Sequence, residues 1–369
     1  MPERHGPPPR RVLISCLRLL GDVVLSLPLL DMVKTAHPAC EVDYLVPAGM
    51  GDFLKCDPRI RRVIERVKGG PPYVPRILMR YDWAFGTNGS DRSVISVAAA
   101  GARKRLTQVD PGLPLAQRWK RLVLTHPVEM PGGKPVIKWC VHLARAAGLA
   151  PTRCRATVHW TALHADRVHA LLQSGGIEAG GFFVFHPFSR YPYKEWNLDR
   201  VIEASDRLAR SHGLRPIWTG SGSERDRDLL SQAASRARCR PVTCAGTLDL
   251  NELACLIAQS RLFMGVDTAI THLAATTGVP LVALFGPTPT RGWSPWNNDS
   301  PLAYDFPDEP GSFRNGHISV LQDGEVFRRE HTWTMDMQRP TKAMAAITVE
   351  SVLHEADHLL QGPSVHFAP

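Results

Sequence analysis

The chain lacks any apolar run long enough to cross a bilayer. The longest, such as GVPLVALFG from Gly278, fall well short of the roughly 20 residues a spanning helix needs. It also lacks a CxxC pair. Its eight cysteines, at 16, 40, 56, 140, 154, 239, 244 and 255, are scattered. That pattern indicates neither a disulfide framework nor a paired-cysteine motif, and predicts reduced thiols of a cytoplasmic protein, several of them in the core. Acidic residues are outnumbered, 35 Asp and Glu against 44 Lys and Arg, for a net charge of +9. The excess favours an acidic partner: nucleic acid, a phosphorylated substrate or an anionic membrane. The basic residues are dispersed and not interleaved with stacking aromatics, which argues against nucleic acid. A secretion signal is not expected either. MPERHGPPPRRVLISCLRLLG starts basic and turns apolar, but Arg18 and Asp22 break the run and no small-x-small site follows. Residues 1–9 are expected to be a disordered Pro-rich tail.

What is present is ample material for two domains: 369 residues, 44% of them hydrophobic. RRVLISC (10–16) predicts a buried strand, 23–36 has helical spacing, EVDYLVP (41–47) and YDWAFGTNG (81–89) predict strands, and VISVAAAGA (94–102) and 134–148 helices. Alternation of this kind predicts a parallel sheet covered on both faces. The pattern weakens between 149 and 180 and then restarts. FFVFHP (182–187) reads as a strand, 197–213 as a helix capped by Asn197 and stopped by Gly213, and LRPIWTG as a strand. Helices follow at 224–237 and 249–259. RLFMGV and PLVALFG read as strands around a helix at 271–278. HISVLQDGEVFRRE is expected to be a hairpin around Asp323-Gly324, and a last helix spans 341–360. The expected domains are 10–175 and 176–340.

Several short segments carry possible chemistry. Asp22 interrupts a greasy stretch, LRLLGDVVLSLP, just past the first strand and after Gly21. A carboxylate there caps the next helix or serves as a general base whose pKa burial would raise. In HPFSRYPYKEW (186–196), Ser189, Arg190 and Lys194 offer a hydroxyl, a guanidinium fork and a point charge, which suits a phosphate; the plainer reading is a solvated basic loop. In GVDTAITHLA (265–274), Thr268 caps a helix holding His272. The amides near Ala269 and Ile270 suit a phosphate, and Asp267 suits sugar hydroxyls. GSGSERD (220–226) has Arg225 where a dinucleotide fingerprint needs its third Gly, so an NAD site is rejected, while Glu224 could hold a ribose diol. HEADH (354–358) fits HExxH, but Asp357 is charged where zinc-protease helices are apolar, so a solvated terminal helix is the better reading.

Taken in order, Gly-Asp-Val near the start, HPFSRYPYKEW, VDTAITHLAA and LFGPTPTRGWSPW resemble the lipopolysaccharide core heptosyltransferases of glycosyltransferase family 9. The resemblance spans roughly residues 11–300, and is greatest to the enzymes that add a third, branching heptose. It implies an α/β GT-B fold, two Rossmann-like domains facing each other over a cleft. The N-terminal one would bind acceptor and the C-terminal one the nucleotide sugar, with the last helix a candidate to pack back on the first domain. It implies an inverting glycosyltransferase that needs no metal or other cofactor. The implied donor is ADP-L-glycero-D-manno-heptose, and the implied acceptor a heptose of the lipid A–core precursor at the cytoplasmic face of the bacterial inner membrane. Matched residue by residue, Asp22 falls on the general base, and Ser189, Arg190 and Lys194 on the phosphate-contacting loop. Asp267, Thr268, Ala269 and His272 fall on the donor-binding helix start, Glu224 near the ribose carboxylate and Leu248 near the adenine-packing residue. Most relatives have Gly where this chain has Ala269, while those of the third-heptose type resemble it. Residues 300–335 do not follow the family and are expected to form an added acceptor-binding or lid element. Basic runs RIRRVIERVKGG (59–70) and RKRLTQ (103–108) are candidates to dock on anionic lipid. The competing readings are a GT-B enzyme using another nucleotide sugar such as a UDP-hexose, and a degenerate non-catalytic member that binds nucleotide or lipopolysaccharide.

Overall fold

The computed structural model describes residues 7–110, 112, 117–130, 132–329 and 339–362. Residues 1–6 of the expected tail and 330–335 of the expected lid segment lie outside them. Pro7–Pro9 do not continue a free tail: Pro9 is buried, and the Arg103 guanidinium donates to the Pro7 carbonyl. The chain divides into two units, Met1–His159 with Pro301–Ala303, and Trp160–Ser300 with Tyr304–Pro369. The expected junction at 175/176 therefore falls one helix late. Helix Ala162–Ser174 belongs to the second unit, where Arg167 pairs with Glu252 at 2.9 Å and His164 faces Asp249 at 3.6 Å.

The first unit holds six strands: β1 (Arg11–Ser15), β2 (Glu41–Pro47), β3 (Ile60–Arg66), β4 (Trp83–Gly86), β5 (Lys104–Val109) and β6 (His126–Glu129). They form one parallel sheet in the order β3-β2-β1-β4-β5-β6. Strands β1 and β4 read as continuous apolar runs because helices cover both faces of a parallel sheet; Val12, Leu13, Ile14, Ala84 and Phe85 are fully buried.

In the basic run RIRRVIERVKGG, residues 60–66 form strand β3. The run's arginines turn onto carboxylates of the same unit: Arg59 on Asp57 at 2.7 Å, Arg61 on Asp43 at 2.6 Å and Arg62 on Asp43 at 3.1 Å. RKRLTQ likewise forms β5. Arg105 donates to the Val123 carbonyl at 2.6 Å, and Lys104 to that of Ala147.

The second unit holds β7 (Phe182–His186), β8 (Arg215–Gly220), β9 (Val242–Ala245), β10 (Leu262–Val266), β11 (Leu281–Leu284), β12 (Phe313–Asn315) and β13 (Ile318–Leu321). Their order is β12-β13-β11-β10-β7-β8-β9, and all pairs are parallel except β12 with β13. Helix Leu198–His212 begins where Asn197 accepts from the Asp199 N–H and ends at Gly213 in the left-handed region, as its sequence predicts. The expected hairpin is displaced. It joins β12 to β13, while Asp323 accepts from the Val326 N–H at 2.9 Å and opens helix Gly324–Arg329. Asp is a good cap as well as a good turn residue, and here the cap prevails.

The last helix is two: Lys342–Ala346 and Val349–Gln361, the second restarted by Thr348, which accepts from the Ser351 N–H. Val352, Ala356 and Leu359 sit in the same core cluster as Phe185, Trp218 and Met264. This helix therefore packs on the second unit's own core.

Candidate functional site

Both sheets run in the doubly wound order, with β7, β8, β9, β10, β11 and β13 repeating the places of β1 to β6. In such a sheet ligands bind outside the carboxyl ends of the strands, where the order reverses. The reversal lies between β1 and β4 in the first unit and between β7 and β10 in the second. Asp22 follows β1, HPFSRYPYKEW and GVDTAITHLA leave β7 and β10, and GSGSERD leaves β8 beside β7.

In the first unit, Cys16–Leu19 leaves β1 and helix Leu20–Leu25 follows, with Asp22 in its first turn. The Asp22 carboxylate accepts from the Leu19 N–H at 3.3 Å and lies 3.6 Å from Arg18 Nε. It is a cap and a half-buried acid at once. Burial pushes its pKa above the ordinary carboxylate value, and Arg18 and the Leu19 N–H hold it back. The neighbouring Cys16 thiol is driven up to about 12, chiefly by burial, and is no nucleophile.

In the second unit, the loop after β7 and the loop after β10 meet. Lys194 Nζ lies 2.6 Å from Asp267 Oδ2, the side chains 18% and 7% exposed. His272 is buried one helical turn beyond Asp267. Its pKa is pushed down to about 4, first by burial, with Asp267 raising and Lys194 lowering it. The imidazole is neutral at pH 7, and among the described residues its Nδ1 has no hydrogen-bond partner. Thr268 caps helix Ala269–Ala275 by accepting from the Ile270 N–H at 3.0 Å. That corrects one expectation: the Ile270 amide is taken by the cap and is not offered to a phosphate.

Ser189 Oγ accepts from the Tyr191 N–H at 3.3 Å, which leaves its hydrogen for an outside acceptor. Arg190 is exposed and stacks 5.8 Å from the Tyr191 ring. Glu224 is exposed in the first turn of helix Glu224–Arg236, after β8, and Leu248 is half-buried after β9. These two lie on neighbouring loops and are not joined to the Lys194–Asp267–His272 cluster by any contact described.

Sequence reasoning missed a network beside that cluster. Glu195 is buried and holds Arg225 with both carboxylate oxygens, at 2.9 and 2.5 Å. Asp226 is buried and accepts from the N–H and the hydroxyl of Ser221 at 2.9 and 2.6 Å. The one available signal was Arg225 standing where a dinucleotide loop needs glycine.

The HExxH segment holds no zinc set. His354 and His358 are exposed, while Glu355 takes Arg314 bidentately at 2.6 and 2.8 Å and Asp357 takes His212 at 2.7 Å. Among the described residues no cluster of His, Cys, Asp and Glu has the makings of a metal site, and no helix is long and apolar enough to cross a membrane.

Two doubly wound parallel sheets, with the candidate side chains at the reversal points of the chain order, make this an α/β protein of the GT-B glycosyltransferase class. The chain belongs to glycosyltransferase family 9 (heptosyltransferase), whose model matches residues 78–303. That match contains every second-unit candidate and leaves Asp22 outside it. Lipopolysaccharide heptosyltransferase 3 of Escherichia coli is 24% identical over 295 residues, covering 77% of this chain and 85% of that protein. Lipopolysaccharide heptosyltransferase 1 of Pseudomonas aeruginosa is 27% identical over 327 residues, covering 81% and 85%. Among solved structures, the family 9 glycosyltransferase of Veillonella parvula superposes with a TM-score of 0.75 at 17% identity, covering 95% of this chain and 97% of that one. The E. coli heptosyltransferase WaaC with ADP superposes with a TM-score of 0.70 at 17% identity, covering 95% and 99%.

Proposed function

We propose that the enzyme transfers L-glycero-D-manno-heptose from ADP-heptose to a heptose of the lipopolysaccharide inner core, with inversion and without a metal. The family, and relatives named as lipopolysaccharide heptosyltransferases, support the reaction class. The observation that carries the donor site is the Lys194–Asp267–His272 cluster at the sheet's reversal point.

Asp22, with its raised pKa, takes the proton of the acceptor hydroxyl. The oxygen attacks the anomeric carbon from the face opposite the diphosphate, and the nucleoside diphosphate leaves. Lys194 and Arg190 bear the charge that develops on the diphosphate, and Ser189 donates its hydroxyl hydrogen. Two side-chain cations take the electrostatic work a metal ion performs elsewhere. Asp267 and Thr268 accept from or bracket the sugar, the Ala269 methyl leaves the backbone approachable, and neutral His272 presents an uncharged ring. Glu224 holds the ribose and Leu248 the adenine face.

The acceptor is a lipid-borne anion on the cytoplasmic side of the inner membrane, where a net charge of +9 favours peripheral association. Much of the charge in 59–66 and 104–105 is engaged internally, so attraction is spread over the surface.

A thermal-shift panel of ADP, UDP, GDP and CDP, with and without Mg²⁺, tests the donor. A ligand at 100 times its Kd stabilises by about 2.7 kcal/mol. A shift selective for ADP and indifferent to Mg²⁺ supports the reading, a UDP or GDP preference overturns the donor, and no shift with any nucleotide favours a non-catalytic member. Asp22→Asn should lower turnover by about 10²–10⁴ with ADP binding retained. Wild-type turnover in that variant removes Asp22 from the mechanism.

A further inference from the structure

The loop that carries Ser189, Arg190 and Lys194 is anchored at its far end, where buried Trp196 donates to the Ile347 carbonyl at 3.0 Å, and by the Lys194–Asp267 pair. It runs from His186 to Trp196 and contains only the short turn Pro192–Lys194. Glu195 is what ties it to the segment after β8. One carboxylate oxygen accepts from the Ser189 N–H at 3.1 Å, closing the loop on itself. The two oxygens together grip the guanidinium of Arg225, in the first turn of helix Glu224–Arg236 after β8. Arg225 also reaches Asp226 at 3.3 Å and lies 5.6 Å from the Phe188 ring, so it packs on the base of the same loop. Asp226 in turn holds Ser221. A continuous chain of charge-assisted bonds thus runs from the phosphate-type loop to the loop bearing Glu224.

We propose that Arg225 and Glu195 are positioning residues for the nucleotide-sugar donor: their bidentate pair fixes the loop of Ser189 and Lys194 against the loop of Glu224 and so sets donor affinity. This rests on the donor reading above.

Two physical points give the pair more weight than an ordinary surface bridge. The fork–fork geometry constrains orientation as well as distance. Glu195 is also only 9% exposed, so losing Arg225 leaves a buried carboxylate with a single backbone N–H. An uncompensated negative charge beside the place of a diphosphate repels it, in addition to freeing the loop. Three of the five Arg225 N–H donors are spent on Glu195 and Asp226, so the side chain is held by the protein. This accounts for an arginine where a dinucleotide loop would carry glycine.

The test is ADP titration by calorimetry on wild type, Arg225→Ala, Arg225→Lys, Glu195→Gln and the Glu195→Gln/Arg225→Ala double variant, with ligand-free melting of each. Arg225→Ala should weaken ADP at least tenfold. Arg225→Lys, a point charge without the fork, should recover part of the loss. The double variant should bind better than Arg225→Ala, because the stranded charge is gone. In transfer assays the donor KM should rise about tenfold while kcat stays within threefold.

Wild type that ignores ADP overturns the donor reading itself. Wild type that binds ADP while Arg225→Ala and Glu195→Gln bind within twofold of it overturns the positioning role alone. Additive losses in the double variant also overturn it. If Arg225→Ala does not fold, Glu195→Gln decides: ADP weakened severalfold with an unchanged melting point supports the proposal, and unchanged ADP affinity ends it.

Discussion

Lys194 and Asp267 are far apart in the chain, yet Nζ and Oδ2 meet at 2.6 Å where the loops leaving β7 and β10 adjoin. The pair is unequal. Asp267 is almost wholly buried, whereas the lysine stem is long enough to swing its ammonium to water. Removing the cation should therefore hurt more than removing the anion. Lys194→Met is expected to cost about 3–5 kcal/mol, the scale for stranding a buried charge, and Asp267→Asn clearly less. Urea unfolding of both variants compares them directly. Equal losses would mean that Asp267 finds water or another partner once Lys194 is gone.

As the proposed base, Asp22 is expected to tie activity to pH. Burial raises its pKa, and the neighbouring Arg18, 3.6 Å away, lowers it. A base must be deprotonated, so kcat/KM should fall as the pH drops through a value above the ordinary carboxylate range near 3.8. Arg18→Gln removes the opposing charge and should move that acid limb to higher pH. A pH profile of kcat/KM for the two proteins suffices. A limb that stays in place, or moves to lower pH, would show that the titrating group is not Asp22.

Two buried imidazoles add to the acid sensitivity of the second unit. His186 and His272 are each pushed down to about 4, chiefly by burial. In the unfolded chain they titrate near 6.5. Their contribution is therefore complete above pH 6.5 and is lost as the pH falls from there toward 4, because the unfolded state binds the protons first. Each imidazole is worth on the order of 3 kcal/mol over that window. The urea midpoint should drop steeply between pH 6.5 and 4.5. His186→Asn, which retains a partner for the Thr219 hydroxyl now 2.9 Å from Nδ1, should flatten the slope. A midpoint equal at pH 7 and 4.5 would mean that both rings are hydrated in solution.

Much of this was legible in the sequence, for reasons that can be given. Strands such as RRVLISC and FFVFHP are short, β-branched or aromatic and wholly buried, so composition alone marks them. Asn197 and Gly213 bracket a helix with the two strongest end signals. Strand β3 was not legible, since five of the twelve residues in RIRRVIERVKGG are cations and nothing local says that Asp43 waits beside them. The junction at 159/160 was hidden because helix Ala162–Ser174 is attached by ion pairs to Asp249 and Glu252, far along the chain. The Lys194–Asp267 meeting follows from the pairing of β10 with β7, a long-range neighbourhood that local sequence does not state. The Glu195–Arg225 pair depends on where two loops happen to touch, and no periodicity carries that.

Glycines with the same backbone conformation should answer differently to the same substitution. Gly213 and Gly246 have φ of 67° and 70°, so either alanine costs about 1–2 kcal/mol in the left-handed region. Around Gly213 a Cβ would meet nothing within 4 Å. At Gly246 it would press on the backbone of Gly222, whose nitrogen would lie 2.8 Å away. That nitrogen belongs to the loop between β8 and helix Glu224–Arg236, and neither backbone can rotate aside as a side chain would. Overpacking of this kind adds about 1–3 kcal/mol. Gly246→Ala should therefore lose clearly more in urea unfolding than Gly213→Ala. It should also weaken ADP, because the Gly222 loop presents Glu224 and the Gly246 loop presents Leu248. Equal stability losses would show that the two loops separate freely. A Gly246→Ala protein less stable but with unchanged ADP affinity would remove the β8 and β9 loops from the donor site.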